Sequence, residues 1–267
     1  MSLKTNFILL SLLGVVLLSY PVAAAEPNVP DVQTIVSKAN IMAYYQGDDG
    51  KASVTMTITS KAGQVRTREF NILRKDVTDG GDQNYFVYFL RPADVRRMVY
   101  LVKKHVGADD DRWLYLPALS LVKRIAAGDK RTSFVGSDFV YEDVSGRSLD
   151  LDTHELINTT DESFVVRNTP KDAGQVEFSY YDVSIDRKTY MPMKMEYYDK
   201  EGTLYRTIES TEVKDIEGFP TVTKSLVTDL KSGGKTEMAF NNVKYNIGIG
   251  DIFEERYLQR PPREAMR

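Results

Sequence analysis

The chain has 267 residues, 38 of them acidic and 35 basic, for a formal charge of −3. That mild acidity gives no case for nucleic-acid binding, and the absence of cysteine excludes disulfides, thiolate catalysis and Cys-ligated zinc. The 16 tyrosines and nine methionines suit a broad apolar surface with adaptable contacts.

Residues 1–25 read as a secretory signal peptide. Lys4 supplies the positive start, Phe7 to Leu18 the apolar run, and Ala23-Ala24-Ala25 a small-residue cleavage site, with cleavage expected after Ala25. The run is shorter than the ~20 residues of a membrane-spanning helix. The remaining chain, 26–267, is expected to be exported as a single soluble domain, long enough to bury a core without staples.

Asp31 is placed to cap a helix carrying Val32, Ile35, Val36, Ala39, Met42 and Ala43 on one stripe. From Lys51 the period changes to two, and Val54, Met56 and Ile58 alternate with polar residues. Strands are expected at Val65–Arg74, Tyr85–Leu90, Met98–Lys103, Trp113–Leu116 and Leu121–Ile125. Tyr85–Leu90 is apolar on both faces, which predicts a central strand covered on both sides. In the second half His154–Ile157 and Phe164–Arg167 bracket a turn. Val176, Phe178 and Tyr180 are expected to face inward, and so are Met193, Met195 and Tyr197. Strands follow at Leu204–Glu209, Val222–Leu230 and Thr236–Val243, the last with Met238 and Phe240 on one face. Asp251 is placed to cap a short terminal helix, and the end beyond Pro261-Pro262 is expected to be ragged.

This pattern gives a mainly β (α+β) chain of about eleven antiparallel strands with a helix at each end. A single open sheet of that size curls or splits. Its inner face would hold Met56, Ile58, Phe178, Tyr180, Met193, Met195, Tyr197, Met238 and Phe240, with Trp113 joining them, and two helices cannot cover it all. Either the sheet closes on a packed core, or it stays half-open around an apolar cavity partly plugged by helices. Methionine and aromatic walls suit acyl chains; the same alternation also describes an ordinary core.

Motifs for catalysis are absent from the sequence pattern. His105 and His154 have no metal-ligand spacing, and Asp109–Asp111 lacks the glycine and distal glutamate of an EF-hand loop. The segment Gly136–Phe139 is not G-x-S-x-G, so Ser137 has no nucleophile elbow. No catalytic residue, metal or cofactor is expected. The densest mixture of apolar and charged residues is Arg112–Val144. Its basic residues Lys123, Arg124, Lys130 and Arg131 adjoin the segment Phe134, Gly136, Ser137, Asp138, Phe139. Two readings stay open: an amphipathic lip meeting anionic headgroups, or a turn whose cations pair with Glu142 and Asp143.

RWLYLPALSLVKRI at 112–125 and SFVGSDFVYEDV at 133–144 carry a family resemblance, supported by YMPMKMEYYDKEG at 190–202 and DIFEERYL at 251–258. These stretches resemble the periplasmic outer-membrane lipoprotein-sorting proteins of the LolA-like superfamily, in the branch associated with RND-type exporters. The resemblance implies a half-open antiparallel β-barrel with helices plugging its concave face. It implies a periplasmic carrier for a lipid or the acyl chains of a lipoprotein. Its implied partners are that cargo, an inner-membrane transporter of the RND type and a transient membrane surface. A sensor or accessory module docking on such a transporter is the alternative. The motif residues are Trp113, Tyr115, Pro117, Gly136, Ser137, Asp138, Phe139, Glu142 and Asp143, read as a rigid lip or docking surface. The chain departs from the lipoprotein carrier itself in its greater length and in an insertion around Gly136–Phe139.

Overall fold

The computed structural model describes residues 29–266. The expected signal peptide and its cleavage point lie outside the described residues. Residues 31–266 lie in one compact unit. It begins with helix α1, Val32–Tyr44, where the Asp31 carboxylate accepts the Thr34 backbone N–H at 2.8 Å.

Thirteen strands follow in one antiparallel sheet. The first six are β1 Asp49–Thr59, β2 Val65–Asp76, β3 Gln83–Arg91, β4 Val99–Lys104, β5 Asp111–Leu116 and β6 Leu121–Arg124. The rest are β7 Asp152–Thr159, β8 Ser163–Pro170, β9 Phe178–Asp186, β10 Pro192–Asp199, β11 Leu204–Ile216, β12 Phe219–Asp229 and β13 Gly234–Tyr245. The count exceeds the expected eleven: each segment named from the sequence pattern, even the short β6, pairs as a separate strand. Two meanders, β1–β6 and β7–β13, are zipped together through β1 and β13, with Met56 opposite Met238.

The sheet does not close. Its edge strands are β6 and β7, which are consecutive in sequence but lie at opposite edges. Residues 125–151 must therefore travel back across one face. They contain the single-turn helix α2, Tyr141–Ser145, and a small hairpin in which the Phe134 N–H donates to the Phe139 carbonyl at 2.7 Å. Phe134 is fully buried among Phe70, Phe89, Tyr100 and Tyr141, with ring centroids 5.6–6.2 Å away. This segment plugs the inner face of the first meander, and α1 packs on the second, over Phe164, Val166 and Val183.

The outer face has a different cover. Phe86, Tyr88, Val99 and Leu101 pack beneath Ile249, Ile252, Phe253 and Leu258. The doubly covered strand read from Tyr85–Leu90 is β3, with Tyr85, Val87 and Phe89 under the plug and Phe86 and Tyr88 under the tail. Two expectations for the C-terminus are corrected. Asp251 caps no helix; the tail makes a 3-10 turn at Glu255–Tyr257 and a one-turn helix α3, Arg263–Met266, and it covers the outer rather than the concave face. Nor is the end ragged, because Ala265 is fully buried and its carbonyl accepts from Asn71 Nδ2 at 3.0 Å.

Candidate functional site: an apolar cavity between helix α1 and the plug

The two covers leave a gap over the middle of the inner face. It is a cavity of about 380 Å³. One wall is α1, through Val36, Ala39, Met42 and Ala43; its floor is Met195, Ile208, Met238, Phe240 and Val243 from β10, β11 and β13. Phe134 and Phe139 of the plug close another side. Met42, Ala43, Val222, Phe240 and Val243 keep solvent exposure, so the cavity opens along the C-terminal half of α1 and the strands facing it.

The plug side is sealed by buried charge. The Glu142 carboxylate receives Lys130 Nζ at 3.4 Å, Arg131 Nη1 at 3.0 Å and Arg147 Nη1 at 3.4 Å. Arg131 also grips Glu177 of the β8–β9 connection, and Arg147 grips Asp152 at the start of β7. Asp143 pairs with Arg206 of β11, and Asp138 accepts the Thr236 hydroxyl of β13 at 2.6 Å. These bonds tie the plug to the second meander. Burial raises the Glu142 pKa, but the charges of Arg131, Arg147 and Lys130 outweigh burial and hold it below the ordinary carboxylate range. Burial likewise pushes the Tyr197 phenol up to about 12, so it stays neutral. Four cations (Lys130, Arg131, Arg147, Arg206) face four carboxylates (Glu142, Asp143, Asp152, Glu177), and the formal charges cancel. Arg131 and Arg147 spend their donors on these partners and stack over the Phe178 ring. The cavity therefore presents apolar walls and a neutralised polar end, which suits an uncharged chain rather than an ionic group.

Of the residues singled out as cavity wall, Met195, Tyr197, Met238 and Phe240 line it. Met56 and Ile58 share the inner face but are buried in solid packing beneath the plug. Phe178 is fully buried in the second core cluster, under the two arginines. Three assignments are corrected. Trp113 faces the outer side, because its neighbour Leu114 takes the inward position. Met193 sits in a register shift of β10 between Pro192 and Lys194, and is 36% exposed. Tyr180 lies beyond a second shift opposite Tyr198 and Asp199; it stacks on Tyr198 while Tyr181 turns inward. An extra residue in one strand reverses every side chain beyond it.

The lip is corrected as well. Lys130 is 5% exposed and committed to Glu142, and Arg131, Phe134 and Phe139 face the cavity. The Ser137 hydroxyl donates to the Phe134 carbonyl at 2.7 Å. Gly136 carries φ +76 and Val135 φ +51, forming a left-handed pair that a β-branched residue rarely adopts. Arg68 Nε and Arg66 Nη2 of β2 hold the Val135 and Gly136 carbonyls. Lys130 and Arg131 thus follow the pairing alternative and turn inward onto Glu142, whereas Gly136, Lys123 and Arg124 stay exposed. The wall contributed by α1, and by Ile208 and Val243, was missed from the strand pattern alone. The signal for it was the width of the α1 stripe, whose last members Met42 and Ala43 continue past the buried Ile35, Val36 and Ala39.

A family model described as "uncharacterized protein" matches residues 81–260. A DUF1329 family protein from Desulfovibrio piger is 30% identical, over 85% of this chain and 99% of that one, with a TM-score of 0.77. An outer membrane lipoprotein-sorting protein domain from Vibrio parahaemolyticus is 26% identical, over 85% and 96%, with a TM-score of 0.75. The LolA superfamily protein NE2245 from Nitrosomonas europaea shares the fold at 20% identity, over 86% and 100%, with a TM-score of 0.66. None of the curated proteins matches the chain. The fold is that of a LolA-like protein. The chain belongs to the DUF1329 family within that superfamily.

Proposed function

We propose that this protein is a periplasmic carrier that holds a lipid, or an acyl chain of a lipoprotein, in the cavity between α1 and the plug. The observation that carries the reading is the cavity itself: about 380 Å³, walled by Met42, Met195, Ile208, Met238 and Phe240, and open on one side. That size falls at the lower end of the roughly 300–1,000 Å³ range of small-ligand sites. Each CH₂ of an acyl chain removed from water contributes about 0.8 kcal/mol, so a chain of modest length gains enough to bind without a charged anchor. The sheet, unclosed and covered by α1 and the plug, serves as a half-open barrel. The reading is one of binding, and it assigns no nucleophile to Ser137, whose hydroxyl donates to the Phe134 carbonyl. The name of the Vibrio relative, a lipoprotein-sorting domain, agrees with this reading.

Native mass spectrometry of gently purified protein tests it. A carrier retains a heterogeneous, sub-stoichiometric set of lipids that organic extraction removes. Protein that is always empty, and that takes up no fluorescent acyl chain from vesicles, contradicts the proposal.

A further inference from the structure

One end of the first meander carries an excess of cations. The turns after β1, β3 and β5 lie side by side at one end, because β1 to β6 are successive antiparallel neighbours. Adjacent strands are ~4.8 Å apart, so neighbouring hairpin tips stand about 10 Å from one another. Residues 60–69, 91–98 and 117–124, which form these tips and their flanks, hold eight Lys or Arg against two carboxylates, Glu69 and Asp94. Glu69 pairs with Arg91, and Asp94 with Arg68. Among the described residues Lys61, Arg96, Arg97 and Lys123 have no ion-pair partner. The opposite end, counted with its flanks over 74–83 and 103–112, carries six aspartates and five Lys or Arg, so its formal charges nearly balance.

The cationic end also shows apolar side chains to solvent. Leu119 is 69% exposed, more than any other large hydrophobic residue among those described; Val65 is 61% and Leu121 47% exposed. They stand on tips rather than line a groove. Two of these turns are held in left-handed backbone at residues other than glycine, Arg97 at φ +70 and Ser120 at φ +48. Such geometry is costly and persists where the surroundings enforce it.

We infer that this end is a docking surface for an anionic lipid bilayer. The cations meet headgroup charge, and Leu119, Leu121 and Val65 enter the boundary beneath it. A flat bilayer satisfies three tips in a row, and isolated apolar tips offer no pocket to an acidic protein. The inference is independent of the proposed cargo, because it uses no residue of the cavity.

The test is sedimentation of the protein with phosphatidylcholine vesicles containing about 30 mol% phosphatidylglycerol, at low salt and at about 1 M NaCl, where the screening length falls to roughly 3 Å. Wild type is expected to bind these vesicles at low salt, to release at high salt and to ignore pure phosphatidylcholine. The double variant R96E/R97E is expected to bind at least about 25-fold more weakly, at on the order of fivefold per cation lost. Leu119→Ser is expected to lose about tenfold, whereas Val77→Ser, also exposed but at the opposite end, is expected to bind as wild type. All substituted positions are exposed, so melting temperatures are expected to hold; should R96E/R97E misfold, Leu119→Ser and its Val77→Ser control still decide. Absence of wild-type binding at low salt, or wild-type affinity in R96E/R97E or Leu119→Ser, overturns the inference, and in the first case an acidic protein becomes the better partner.

Discussion

Glu142 is the residue on which the plug turns. It is 3% exposed, and three cations depend on it. Glu142→Gln leaves Lys130 buried without a carboxylate and takes one of two carboxylates from Arg131 and from Arg147, a change that costs about 3–5 kcal/mol in such settings. The urea midpoint at neutral pH is expected to fall accordingly. The pH dependence follows from the depressed pKa. A lowered carboxylate contributes its full stability above its unfolded value near 4.5 and loses it as pH falls through the folded value. Glu177, lowered by Arg131 against the opposing effect of burial, acts in the same window. Wild type is therefore expected to weaken steeply below about pH 4.5, and Glu142→Gln to start lower but decline less. Equal slopes in the two proteins would contradict the assignment. Gly146 is the second such residue. Its φ is +74, and a Cβ there would lie 2.5 Å from the Tyr44 ring. Gly146→Ala is expected to cost about 2 kcal/mol or more, and less in a Tyr44→Ala background, where only the backbone share of about 1 kcal/mol remains. A double-mutant cycle in urea measures this coupling of α1 to the plug.

Among the elements, the plug and the cavity floor differ in how solid they are. Phe134→Ala removes a ring enclosed by four others and is expected to cost about 3–5 kcal/mol. Phe240→Ala removes a ring that already borders empty space, and is expected to cost under about 2 kcal/mol, because its loss leaves fewer contacts broken. Equal costs in chemical denaturation would mean that the floor is packed like a core. The same contrast explains what the sequence could reveal. Helix α1, the strands and the two-sided burial of β3 follow from local periodicity, and each is written into a few neighbouring residues. The plug is not. Nothing within residues 125–151 states that they recross the sheet; that follows only from β6 and β7 being opposite edges, a consequence of the β1–β13 pairing nearly 200 residues apart in register. Lys130 and Arg131 looked solvated because lysine and arginine seldom bury, and their partners Glu142 and Glu177 come from α2 and the β8–β9 connection. Met193 and Tyr180 failed for a different reason: a strand's alternation can be read from sequence, whereas the residue at which a bulge reverses it cannot.

For the whole molecule, the central claim is that the gap between α1 and the plug receives an acyl chain. The most direct measurement is binding of a fluorescent fatty-acyl probe to wild type and to variants of two methionines of β10, Met195→Trp and Met193→Trp. Met195 faces the cavity, and Met193, two positions away, is displaced outward by the β10 bulge. An indole at 195 occupies the space a chain would take; at 193 it projects into solvent. The expected result is tight binding by wild type and Met193→Trp and a loss of at least about tenfold in Met195→Trp, with all three proteins folded. Equal binding by all three proteins, or none by wild type, would contradict the account.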